Sequence, residues 1–314
     1  MKIIIGYDGS ECANNAVSDL RLAGLPPDTE AIVLSAADIW PARPEWTFDE
    51  SSTDQQRRMS LSERTAYEIA LDAMRRARAA ARDGVARTRD IFPEWRIEAR
   101  PCPGPPAASL IDEAIARKAD LIVVGSRGKS LLRGMLLGSV SRRVLAHAPC
   151  SVRVGRLRKD DQPRSVRIVL GMDGSHNAHA AARAIASRRW PAGSEVRIVA
   201  ALDVHLITAR ATVDLVTGES SLRDPGIDAR TWIGRICHEV ANELGAAGLA
   251  TSVIVKEDDA TAALLGEAES IRSDCIFVGA TGLRGLQRFV IGSVSRTVAE
   301  HGACSVEVAR PAAA

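Results

Sequence analysis

No apolar run in this 314-residue chain approaches the ~18 residues of a membrane-spanning helix, which argues against a helical membrane protein. A large excess of charge is also missing. The 41 basic residues stand against 39 acidic ones, for a formal net charge of +2, which argues against a dedicated nucleic-acid binder. Lysine is scarce, so arginine carries most of the positive charge. The six cysteines (Cys12, Cys102, Cys150, Cys237, Cys275 and Cys304) form no close metal-type pairs. Cys150 and Cys304 hold equivalent places in two similar stretches and read as packed thiols rather than as a disulfide framework. The chain opens directly into an apolar strand run with no leader pattern, so the cytoplasm is the expected compartment. What remains is a soluble composition, 46% hydrophobic and 25% charged, long enough to bury a sizeable core in each half.

What is present is a duplication. Gly125-Ser126-Arg127-Gly128, nine residues, then Gly138-Ser139-Val140 recurs as Gly279-Ala280-Thr281-Gly282, nine residues, then Gly292-Ser293-Val294. Both copies follow an apolar run, 121–124 and 275–278, and both continue Ser-Arg-x-Val from Ser141 and Ser295. A glycine-rich turn leaving a buried strand exposes backbone N–H groups able to wrap an anion. A Gly-Ser pair opening the next helix adds hydroxyl donors and the positive end of the helix dipole. The spacing predicts two phosphate-cradling loops, one per half.

The repeat reaches further. Residues 3–10 carry Gly6, Asp8 and Ser10 after three isoleucines, and residues 168–175 repeat the theme with Gly171, Asp173 and Ser175. So long a period means a duplicated domain rather than a solenoid. The expected division is 1–155 and 165–310, with a short charged linker at 156–164 that implies packed halves.

Short β-branched runs alternating with helical patterns predict βαβ units and parallel sheets, an α/β fold. Expected strands lie near 2–7, 31–37, 95–100, 121–125 and 150–154, then near 166–171, 195–202, 251–256, 274–279 and 304–308. Expected helices lie near 11–24, 60–88, 106–118 and 139–147, then near 176–189, 228–247, 260–272 and 293–301, with Ser10 and Ser175 as N-caps. In such sheets ligands bind outside the carboxyl ends of the strands. Asp8 and its loop, and Asp173 and its loop, therefore converge on one crevice per half. Asp-Gly-Ser also favours tight turns, but recurrence at the crevice favours a ligand role.

Other features have plainer readings. His147 and His301 each precede a cysteine by three residues, yet a helix C-terminus favours a structural imidazole. His176 and His179 share a helix face beside Asp173 without a third ligand, so no metal site is assigned. The arginines between 75 and 89 read as a solvated helix face, with Ala66, Ile69, Ala70, Ala73, Ala77, Ala80 and Ala81 as its packed side. The polar segments near 40–60 and 207–228 are exposed connections or loops overhanging the crevices. The Gly-Lys-Ser at 128–130 lacks the spacer and upstream glycine of a Walker loop.

The G-x-x-G-x9-G-[ST] pattern after an Asp-Gly-Ser on strand one resembles the universal stress protein family in its tandem-domain form, over nearly the whole chain. The resemblance implies two adenine-nucleotide-hydrolase-like domains, each a five-stranded parallel sheet of order 3-2-1-4-5 flanked by helices. It also implies ATP as ligand, with or without Mg²⁺. By position, Gly6 and Asp8 would face the nucleoside and Ala36 would offer backbone to the adenine. Val124, Gly125, Ser126, Arg127, Gly128 and Lys129 would wrap ribose and phosphates, and Gly138, Ser139 and Val140 would close on the phosphate tail. The matching second set is Gly171, Asp173, Ala201, Val278, Gly279, Ala280, Thr281, Gly282, Leu283, Gly292, Ser293 and Val294. Arg127 and Lys129 become Thr281 and Leu283, and acidic residues 257–259 replace a Pro-Gly-Pro stretch, so the second crevice is expected to bind more weakly. Family members pair through their last strands, which implies an internal pseudo-dimer along 150–154 and 304–308 and a homodimer of whole chains. The implied function is a non-catalytic, nucleotide-dependent stress-response regulator with an unknown protein partner. Slow ATP hydrolysis or phosphoryl transfer, and a scaffold with a vestigial second site, are the alternatives.

Overall fold

A computed structural model describes residues 1–39, 59–128, 137–156, 165–202, 228–282 and 291–311. Lys129, Leu283, most of the two polar segments and linker residues 157–164 lie outside this description.

The first half contains β1 (Lys2–Gly6), α1 (Glu11–Asp19), β2 (Glu30–Ala37), α2 (Leu61–Ile91), β3 (Arg96–Pro103), α3 (Pro106–Arg117), β4 (Leu121–Gly125), α4 (Ser139–His147) and β5 (Ser151–Gly155). The second contains β6 (Arg167–Gly171), α5 (His176–Ala186), β7 (Glu195–Ala201), α6 (Ala229–Ala246), β8 (Ala250–Lys256), α7 (Ala260–Ser270), β9 (Cys275–Gly279), α8 (Ser293–His301) and β10 (Ser305–Ala309). All ten strands form one sheet in the order β3-β2-β1-β4-β5-β10-β9-β6-β7-β8. Within each half every pairing is parallel and the order is 3-2-1-4-5.

The central strands carry continuous apolar runs because helices cover both sheet faces. Ile3, Ile4 and Ile5 of β1 are fully buried, as are Ile168, Val169 and Leu170 of β6. On one face a single apolar cluster crosses both halves, joining Ile4, Ile122 and Ile276 to Leu110, Val144, Leu264 and Val298 from α3, α4, α7 and α8. The opposite face divides into a first-half cluster around α1 and a second-half cluster around α5 and α6. The caps match their chemistry. Ser10 Oγ accepts from Ala13 N–H at 3.2 Å and Ser175 Oγ from Ala178 N–H at 3.1 Å. Ser60 and Glu63 form a reciprocal capping box at the start of α2.

Three expectations need correction. The buried stripe of α2 is Tyr67, Ala70, Leu71, Met74, Ala77, Ala81, Gly84 and Thr88, while Ala66 and Ile69 face outward. The helix is rotated so that its small residues meet the sheet: a Cβ on Gly84 would lie 2.7 Å from Val33 Cγ1. The helix after each Asp-Gly-Ser also ends early, α1 at Asp19 with a 3₁₀ turn following, and α5 at Ala186.

Those early endings serve the seam between halves. Strands β5 and β10 pair antiparallel, with Arg153 directly opposite Glu307 and valines on either side. Arg153 Nε donates to Asp19 Oδ2 at 2.7 Å and its Nη1 to Glu307 Oε2 at 3.3 Å. Arg188 donates to both Glu307 oxygens, at 2.9 Å to Oε2, and its guanidinium lies 5.3 Å from the Phe277 ring centroid. Two cations and two carboxylates, none more than 9% exposed, thus neutralise one another in the interior.

Candidate functional site

Each glycine loop leaves the carboxyl end of a buried strand and closes on itself. Gly138 N–H donates to Ser126 O at 2.8 Å, and Gly292 N–H to Ala280 O at 2.7 Å. The recurrent serine of the next helix ties the loop base: Ser141 Oγ donates to Gly125 O at 2.6 Å and Ser295 Oγ to Gly279 O at 2.5 Å. Gly125 and Gly279 are glycines for packing. A Cβ there would lie 2.7 Å from Cys12 O or 2.6 Å from the Asn177 carbonyl carbon, inside the first turn of α1 or α5.

The second glycine of each loop meets the aspartate. A Cβ on Gly128 would stand 2.9 Å from Asp8 Oδ2, and one on Gly282 would stand 2.6 Å from Asp173 Oδ2. The other oxygen, Oδ1, accepts Ser10 N–H or Ser175 N–H at 2.9 Å, which fixes the carboxylate. Gly9 and Gly174 make this turn possible with φ of 77° and 80°, a left-handed backbone that favours glycine. The strand-one tip and the glycine loop are therefore in contact in both halves.

Helices α4 and α8 open on these loops with Gly138 and Gly292 as N-caps. Glycine supplies no side-chain acceptor, and neither first turn contains an acidic residue. Among the described residues no side chain caps either first turn, and the positive end of each helix dipole favours negative charge there. Ser139 and Ser293 are exposed at the first helical position, with Val140 and Val294 partly buried behind them. Ser126 and Ala280 turn inward, Ser126 Oγ reaching Cys12 Sγ at 3.8 Å, so these two offer the crevice backbone only. Val124 and Val278 are buried strand residues. Gly6 and Gly171 lie beneath the tips, each against a leucine of α3 or α7 (Leu110, Leu264). Ala36 and Ala201 sit at the ends of β2 and β7, partly buried against the shared apolar cluster.

The crevices differ. Arg127 is exposed, whereas its counterpart Thr281 is buried and held by Asn177, whose Nδ2 donates to Thr281 Oγ1 at 2.6 Å and to Thr281 O at 3.1 Å. The equivalent of Asn177 is Cys12, which has no such reach. Below Asp8, the Tyr7 hydroxyl lies within hydrogen-bond reach of Asp83 and Asn14. Burial first, then the Asp83 hydrogen bond, raises the Tyr7 pKa. Tyr7 and then Arg87 hold the Asp83 carboxyl below its ordinary value. Met172 occupies the Tyr7 position in the second half. Asp259 is the N-cap of α7, accepting from Thr261 and Ala262 N–H at 2.9 and 3.0 Å, and Glu257 pairs with Arg230 at 2.7 Å. Asp258 Oδ1 accepts Asp259 N–H at 2.8 Å, so all three acidic residues of this stretch have protein partners.

Sequence reasoning missed Asn177 and the seam residues Arg153, Arg188 and Asp19. Their signal was faint: Arg153 and Glu307 occupy equivalent repeat positions with opposite charge. The two C-terminal histidines behave structurally, His147 Nδ1 lying 3.0 Å from Arg143 O and His301 Nδ1 3.0 Å from Thr297 O. Among the described residues no cluster of three or more His, Cys, Asp or Glu has metal-binding geometry, and no helix is long and apolar enough to cross a membrane.

Comparison with known proteins matches both halves. The model of the universal stress protein family fits residues 1–156 and 166–310. A universal stress protein of Mycobacterium tuberculosis is 26% identical over 342 aligned positions, covering 98% of this chain and 94% of the relative. One from Thermus aquaticus is 31% identical over 150 residues, 48% of this chain and 94% of the relative. Among solved structures, a universal stress protein from Archaeoglobus fulgidus has a TM-score of 0.62 at 18% identity and covers 98% of each chain, a likeness of fold. Twice matched along its length, the chain belongs to the universal stress protein family.

Proposed function

We propose that this chain binds an adenine nucleotide of the ATP class in its first-half crevice, more weakly in its second, and acts as a non-catalytic, nucleotide-dependent stress-response regulator in the cytoplasm. The observation that carries this reading is the cradle between strand tip and loop. Gly128 leaves room beside the Asp8 carboxylate that even one methyl would fill, and a glycine-capped helix start adjoins it. Backbone amides of the loop and of the first turn of α4 would hold the phosphates, with Arg127 as the neighbouring cation. Asp8 is the carboxylate at hand for ribose hydroxyls or for an accompanying Mg²⁺. The pinned Thr281, standing where the first half has an exposed arginine, supports the weaker rank of the second crevice.

Calorimetry of ligand-stripped protein with Mg-ATP tests the reading. Heat that Gly128→Glu abolishes and Gly282→Glu only reduces is the expected result. No heat from well-folded protein removes the nucleotide reading, and steady ADP release that Asp8→Ala abolishes without unfolding replaces the regulator with a slow ATPase.

A further inference from the structure

Helices α4 and α8 present their N-termini to the crevices, and their C-termini are held by residues of the opposite half. Arg310, just after β10, crosses the seam: its Nη2 donates to Leu145 O at 2.6 Å, its Nη1 to Cys150 O at 3.5 Å and its backbone N–H to Ser151 Oγ at 3.1 Å. Arg156, just after β5, does the same in reverse. Its Nη2 donates to Ala299 O at 2.6 Å, its Nη1 to Cys304 O at 3.3 Å and its N–H to Ser305 Oγ at 2.8 Å. The two arginines occupy equivalent repeat positions, so the exchange is reciprocal.

Leu145 and Ala299 lie in the last turns of their helices, where carbonyls have no intrahelical donor and the dipole's negative end favours a cation. Arg310 is 8% exposed and gives its guanidinium hydrogen bonds to backbone carbonyls, so the helix end supplies the compensating negative charge. Each helix has nine residues, about 13 Å, and is stiff on that scale. Movement at its C-terminal turn therefore displaces the amides at its N-terminus.

We propose that Arg310 and Arg156 are positioning residues exchanged between the halves: each holds the loop-bearing helix of the other half, so that neither anion crevice is complete without its neighbour. The inference rests on the nucleotide reading above and adds a dependence in trans.

The test uses the full chain. In a Gly282→Glu background, where only the first crevice binds, Arg310→Met weakens Mg-ATP binding about fivefold, in the range typical of coupled sites. Arg310→Lys restores part of the loss and Arg156→Met leaves binding unchanged. In a Gly128→Glu background the two roles reverse. Without nucleotide, Arg310→Met accelerates amide exchange across 139–147 but not 293–301, and Arg156→Met does the converse. Should Arg310→Met fail to fold, Arg310→Gln, which keeps a donor without the charge, takes its place. Unchanged affinity in the Arg310 variants of a parent that binds Mg-ATP overturns the proposal. If the parent binds none, the nucleotide reading fails, and unchanged exchange over 139–147 then overturns the trans hold on its own account.

Discussion

Glu307 accepts hydrogen bonds from two buried guanidinium groups, so Glu307→Gln isolates what charge contributes to the seam. The amide keeps the shape but removes, among the described residues, the one carboxylate paired with Arg188 and one of two paired with Arg153. Among the described residues Asp19 then opposes two cations, leaving one positive charge uncompensated where none of these side chains exceeds 9% exposure. Breaking a buried pair on one side costs about 3–5 kcal/mol. At roughly 2 °C per kcal/mol for a chain of this size, the melting temperature should fall by about 6–10 °C. Thermal unfolding followed by circular dichroism reads this directly. Arg188→Met added to Glu307→Gln removes one charge of each sign, leaves Arg153 with Asp19, and should recover most of the loss. A Glu307→Gln melt within about 2 °C of wild type would refute the claim that charge holds the halves together.

Other perturbations test other parts of the molecule. Burial opposes ionisation of Glu267, but hydrogen bonds from Lys256 and Arg197 outweigh it and hold its carboxyl below the ordinary value. Its contribution is thus present above the unfolded glutamate pKa of about 4.3 and lost as pH falls through the lower folded value. Melting curves of Glu267→Gln should accordingly lose part of the acid-side slope seen in wild type. Burial raises the thiols of Cys150 and Cys237 to about 12 and of Cys304 to about 11. With Cys275 fully buried too, iodoacetamide on native protein should modify only Cys12 and Cys102 among the six, as read by intact mass and peptide mapping. Gly125→Ala pushes a methyl to 2.7 Å from Cys12 O and should cost about 1–3 kcal/mol in chemical denaturation. Asn177→Ala frees Thr281 and should cost about 1 kcal/mol without altering first-crevice affinity.

Much of the fold was legible because its signals are local. Three consecutive isoleucines in β1 can be accommodated only where both faces of a strand are covered, and Ser10 and Ser175 mark helix starts by cap chemistry alone. The glycines were legible as a repeat, although their reasons differ: Gly125 clears α1, whereas Gly128 clears Asp8. The rotation of α2 was not legible, since its alanines fit either stripe and only the sheet beneath Gly84 chooses between them. Nor were the early ends of α1 and α5. Those ends depend on Asp19 and Arg188 finding Arg153 and Glu307, partners more than 100 residues away that meet only once β5 and β10 are in register. Asn177 was invisible for the same reason, its partner Thr281 lying beyond β9 at a sequence separation of 104.

The antiparallel junction of β5 with β10 has a geometric consequence for anything that would read the protein's state. Strands within a half all run one way, so joining the halves head to tail sends their carboxyl edges in opposite directions. The two hollows therefore open at opposite rims of a single ten-stranded slab. Anything docked on one rim would leave the other uncovered.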